Sequence, residues 1–79
     1  GAAKPDPAPF LAALKYAGVS PNGAVHIGDH PEQDVAAAQA VGMRAIWFNP
    51  QRAAWPLADK PDAEVHALAD LAEVITSLN

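Results

Sequence analysis

"VHIGDHPEQD", Val25 to Asp34, joins an apolar run to a pair of acids. With Ala24 before it, the chain runs apolar to Gly28 and then turns abruptly to Asp29. So short an apolar run, bounded by turn-forming residues, reads as a strand buried on both faces, as in a parallel sheet. A helix opens directly behind it. Pro31 suits a first helical position, and Glu32 and Asp34 suit the positive end of the first turn. A strand feeding straight into a helix is the basic step of an α/β protein.

Upstream lies "KPDPAPFLAALKYAGVSP". Asp6 can cap a helix that Pro7 begins, and Phe10, Leu11 and Leu14 share one face. Gly18 ends it and Pro21 blocks continuation, which predicts a helix over about residues 7–17. Downstream, the Ala-rich helix from Pro31 ends at Gly42, and "RAIWFN", Arg44 to Asn49, is the next strand. A loop with Pro50, Pro56 and Pro61 follows, with Trp55 and Leu57 placed to pin it to the body. "AEVHAL" then predicts a third short strand. Asp70 and Glu73 have capping-box spacing, and Leu71, Val74, Ile75 and Leu78 form the stripe of a last helix. The alternation predicts an α/β domain built on a parallel sheet.

Bulk properties narrow the function classes. The chain has 79 residues, one small domain with a modest core. Nineteen residues are Ala, which bury little area each. Net charge is −4, and the five scattered basic residues make no nucleic-acid footprint. No run of apolar residues is long enough to cross a membrane, and no signal peptide is visible. With no cysteine, disulfide and thiolate chemistry are excluded. The expected setting is the cytoplasm.

In open parallel sheets, ligands bind outside the carboxyl ends of the strands. Gly28 and Asp29 sit at such an end, with Asp34 at the start of the next helix. Gly28 lets a backbone or a ligand approach closely. Neighbouring carboxylates repel and raise each other's pKa, and a hard divalent cation relieves that repulsion. The same acids also suit a plain role as cap and dipole partner. Lys4 lies before a Pro-locked approach to the first helix, which would bring it near the same edge of the sheet. A lysine beside two carboxylates and a metal balances phosphate charge. Taken alone, Lys4 reads as an exposed lysine.

"KPDP" with its helix, an apolar strand ending "GD", a second Asp completing "GDxxxxD", an Ala-rich helix ending "GM" and a further apolar strand together resemble the haloacid dehalogenase-like (HAD) hydrolases. The match is close over about residues 4–48, and the tail from Asp62 is similar less specifically. The resemblance implies a three-layer, Rossmann-like parallel sheet, of which residues 1–79 form the C-terminal part of one core domain. It implies a catalytic role for Lys4 and a Mg²⁺ site at Asp29 and Asp34, with Asp34 supporting metal-bound water or Lys4. Gly28, His30 and Asn49 are candidates to line the substrate site. His26 reads as a core histidine or one that backs the site. Trp47 and Phe48 read as core, and His66 needs no function.

The same family carries its nucleophile in a "DxDxT/V" motif on an earlier strand, and many members insert a cap. Neither is found in these 79 residues. The resemblance therefore implies a segment of a Mg²⁺-dependent phosphatase of small phosphorylated metabolites, inactive by itself because no nucleophile is present to form the covalent intermediate. It implies too that the strand ending at Gly28 has one unpaired edge, through which two copies of the chain would associate. Two other readings stay open: a non-catalytic interaction module with an inherited fold, and a receiver-like domain with Asp29 as phospho-acceptor.

Overall fold

A computed structural model describes residues 6–78. Helix α1 spans Ala8–Ala17. Asp6 starts it, its Oδ1 accepting from the N–H of Ala8 at 3.0 Å. Pro7 sits one place earlier than expected, at the N-cap. The helix ends where Gly18 takes φ 71°, so that Gly18 N–H reaches Lys15 and Val19 N–H reaches Leu14. Only a residue without a Cβ takes that left-handed turn at little cost.

Three strands follow: β1 (Val25–Gly28), β2 (Arg44–Phe48) and β3 (Ala63–Val65). All pair in parallel, in the order β1-β2-β3. The register sets His26 against Ala45, Gly28 against Trp47, and Trp47 in turn against Glu64. Ala45, Ile46 and Trp47 of β2 are all buried. Since neighbouring side chains on a strand point to opposite faces, both faces of β2 are covered. Val35, Ala38, Ala45 and Trp47 form the core, with Phe10, Met43 and Trp55 packed around it.

The connection from β1 to β2 departs from a regular helix. Pro31–Ala36 winds with the wider π spacing before α2 (Ala37–Ala40) resumes the α form. His30 C=O accepts from both Asp34 N–H (2.9 Å) and Val35 N–H (3.3 Å), so the first turn is opened by one residue. The last helix, α3 (Leu71–Ser77), follows a short 3₁₀ turn, Leu68–Asp70. Here the expected capping box does not form. Asp70 is already helical (φ −88°, ψ −7°) and makes no side-chain cap bond, and an N-cap acts from an extended backbone. The third strand is also shorter than "AEVHAL": pairing with β2 ends at Phe48 against Val65, and His66 just beyond it meets Glu64 at 2.8 Å. No helix among the described residues is long and apolar enough to cross a membrane.

Candidate functional site at the carboxyl edge

All three strands point the same way, so Asp29, Asn49 and His66 follow the strand ends at one edge of the sheet. Asp29 is exposed. Its backbone is fixed rather than its side chain: Trp47 Nε1–H donates to the Asp29 carbonyl at 3.0 Å. Among the described residues no donor reaches the Asp29 carboxylate.

Asp34 differs in every respect. Its Oδ1 lies 3.1 Å from His26 Nε2, and its Oδ2 accepts from His30 N–H at 2.9 Å. Partial burial pushes its carboxyl up, but the His30 N–H, the His26 ring and its charge, and the Asp29 N–H together outweigh burial and hold it below the usual value. Mutual repulsion between neighbouring carboxylates would raise both acids. For Asp34 the balance runs the other way, because the protein surrounds this carboxylate with donors.

The position of Asp34 follows from Gly28. A Cβ at residue 28 would overlap the Asp34 carboxyl group and its own Cβ. The glycine therefore admits the second acid onto the strand end, and the widened turn at Pro31–Ala36 carries that acid there. His30 caps this turn, its Nδ1 accepting from Gln33 N–H at 3.0 Å. With Nδ1 an acceptor, its Nε2 carries the proton.

Asn49 is buried and wholly engaged. Its Nδ2 donates to the Ala53 carbonyl and to Glu64 Oε2, both at 2.9 Å, and its Oδ1 accepts from Ala53 N–H at 3.1 Å. Glu64 also meets His66. The Asn49 amide and then His66 hold the Glu64 carboxyl below its usual value. Asn49 thus shapes the loop after β2. Trp55 is pinned to the body as expected, edge-on to Trp47 at 4.9 Å, with its Nε1–H on the Asp59 carbonyl. Lys4 lies outside the described residues.

His26, expected in the core or backing the site, does back it through Asp34, and Trp47, expected only in the core, also serves the edge. A signal for His26 was present. It is a polar residue in an apolar strand, two before Gly28 and so on the same face. Trp47 gave none, since its ring is core and only its N–H serves the edge.

Among the described residues, no group of three or more His, Cys, Asp or Glu side chains could enclose a metal. Instead, Asp29 stands at this edge as a hard carboxylate, unengaged among the described residues, with Asp34 held behind it. Mg²⁺ commonly takes one or two carboxylates and fills its shell with water and substrate phosphate, and Asp29 fits one such ligand position.

A parallel α/β sheet with acids at its carboxyl edge defines a Rossmann-type ligand-binding fold. The HAD-hydrolase-like family model matches residues 1–74, and the chain belongs to that family. It is 45% identical over 49 residues to a phosphoserine phosphatase of Thermus thermophilus, covering 62% of this chain and 20% of the relative. It is 42% identical over 48 residues to a glyceraldehyde 3-phosphate phosphatase of Pyrococcus furiosus, covering 61% and 20%. Among solved structures, a 2-haloacid dehalogenase from Pseudomonas syringae pv. tomato superposes with TM-score 0.92 at 56% identity, over 96% of this chain and 33% of that one. A HAD phosphatase from Thermococcus onnurineus gives TM-score 0.80 at 36% identity, over 94% and 34%. The chain thus spans about a fifth of the length of these curated relatives and about a third of these structures.

Proposed function

We propose that this chain is the acid-bearing part of a HAD-like phosphatase core acting on small phosphorylated metabolites with Mg²⁺. The observation that carries the reading is the division of labour at the end of β1: Asp29 exposed and unengaged among the described residues, Asp34 latched behind it. Asp29 supplies an oxygen ligand. Asp34, held by His26 and His30, orients water or a cationic neighbour rather than reaching out itself. When bound, Mg²⁺ neutralises charge on the phosphate oxygens. Lys4 is assigned to the same charge balance, and His30 Nε2–H to a hydrogen bond at the rim. Gly28 keeps the edge open enough for both acids. Residues 1–79 form part of one core domain. A cytoplasmic setting is part of this reading, and the cysteine-free sequence is compatible with it.

The bond-forming nucleophile of this reading is an aspartate of a "DxDxT/V" strand, which these 79 residues do not contain. The 79-residue chain is therefore expected to show no turnover of an aryl phosphate with Mg²⁺. In a longer chain that carries such a strand, Asp29→Asn should lower Mg²⁺-dependent turnover by about two to three decades, with Lys4→Ala close behind. Turnover by the 79-residue chain that Asp29→Asn abolishes would contradict the reading. So would wild-type rates in both variants of the longer chain. Dehalogenation is a second reading, favoured by the 56% identical structure described as a 2-haloacid dehalogenase. Halide release from a 2-haloacid, without phosphatase activity, would decide for it.

A further inference from the structure

The carboxyl edge contains one interaction that neither the cation nor the substrate explains, the contact between His26 and Asp34. We propose that His26 is the positioning residue of this edge: its Nε2–H holds the second acid over Gly28 and away from Asp29, which presents its carboxylate to the cation. The cation clause rests on the reading of Asp29 given above; the hold itself does not.

Four observations support it. The Nε2 to Oδ1 distance is 3.1 Å, a hydrogen bond between groups whose side chains are 29% and 28% exposed. A carboxylate accepts, so the ring must donate from Nε2. The ring is itself held from the other side, where Phe10 of α1 meets it edge-to-face at 4.8 Å and 88°. The other Asp34 oxygen is occupied by His30 N–H. Both oxygens thus bear protein donors, and the carboxyl is pressed against a glycine with no room for a side chain.

Deleting one of these donors leaves a neighbour of the cation free to rotate. Groups that orient a metal's surroundings in this way typically account for about 10- to 100-fold in metal affinity. His26 also ties α1 to the edge, since Phe10 touches the same ring that touches Asp34.

The test uses the 79-residue chain labelled with ¹⁵N. In the metal-free chain, a long-range ¹H–¹⁵N spectrum of the histidine rings is expected to show His26 protonated at Nε2. His26→Leu should move the His30 amide signal, and His26→Gln should restore it, because the glutamine amide places a donor near the Nε2 position. His26→Asn, polar but too short to reach, should behave like Leu, and it serves if Leu disturbs the fold. In a Mg²⁺ titration, His26→Leu should weaken binding by about tenfold or more, with recovery in His26→Gln. An unprotonated Nε2, a His30 amide that does not respond, or unchanged Mg²⁺ affinity in both short variants would overturn the proposal. Asp29→Asn separates the two claims. Full Mg²⁺ affinity in that variant would overturn the assignment of Asp29, while the metal-free spectra would still decide the role of His26.

Discussion

A methyl group at position 28 has nowhere to go. Its nearest neighbours would be the Asp34 carboxyl group and Cβ, inside contact distance. Gly28→Ala must therefore push Asp34 off the strand end, breaking its bonds to His26 and His30. Overpacking of this kind costs about 1–3 kcal/mol, readable in a urea melt. Gly23→Ala is the control, since its added Cβ would meet only Ser20 Oγ at 3.8 Å. Asp34 carries a pH dependence of defined sign. Its folded carboxyl lies below the ordinary value of 3.8, so the native state favours the ionised form. That stabilisation is complete above the unfolded carboxylate value, about 4, and is lost as pH falls through the depressed folded one. Asp34→Asn should accordingly flatten the acid limb of a stability-against-pH curve. A limb as steep as wild type would mean that another acid sets it.

At the scale of elements, β1 and β2 were legible because apolar runs between turn residues leave little choice. Their observed limits lie within a residue of those expected. The helix ends were legible for a similar reason, since Gly18 and Gly42 both take positive φ where a helix must stop. What could not be read was set by side-chain fit and strand pairing rather than by composition. "PEQDVA" has the composition of an ordinary first turn, and only the fit of Asp34 onto Gly28 accompanies its widening. "AEVHAL" looks like a strand throughout, yet its partner β2 ends at Phe48, opposite Val65, and pairing stops there. Asn49 sits at a ligand-facing edge, yet its amide is consumed by Ala53 and Glu64. Asp29 and Asp34 were visible as a pair, and the family resemblance divided their roles, but the hold of His26 on Asp34 and of Trp47 on the Asp29 backbone was not. The link from β2 to β1 can be tested directly. Trp47→Phe keeps most of the core ring and removes the donor to the Asp29 carbonyl. Loss of that hydrogen bond should cost about 0.5–1.5 kcal/mol and shift the Asp29 and His30 amide signals. Unshifted signals would mean the indole does not set the strand end.

For the molecule as a whole, β1 pairs only with β2, leaving its other edge unpaired among the described residues. Beside it a groove of about 430 Å³ opens between α1 and the sheet, lined by Phe10, Leu14, Val19, Ala24 and Met43 among others. Leu11 and Val19 nearby are 49% and 46% exposed. No Lys or Pro guards this strand, and unguarded edges pair with other strands. The 79-residue chain is expected to self-associate, two copies of β1 meeting antiparallel about a two-fold axis and the grooves closing over one another. Sedimentation equilibrium should return a dimer or larger species across a range of concentrations. A folded monomer at the highest concentration would exclude it.

Asp29, at the end of β1, is proposed as the cation ligand of this edge. Mn²⁺, a paramagnetic stand-in for Mg²⁺, tests it most directly in the ¹⁵N-labelled chain. Bound there, it should broaden the amide signals of Gly28, Asp29 and His30 first, with Mg²⁺ competing the effect away and Asp29→Asn abolishing it. Broadening centred elsewhere, or retained in Asp29→Asn, would rule Asp29 out as that ligand.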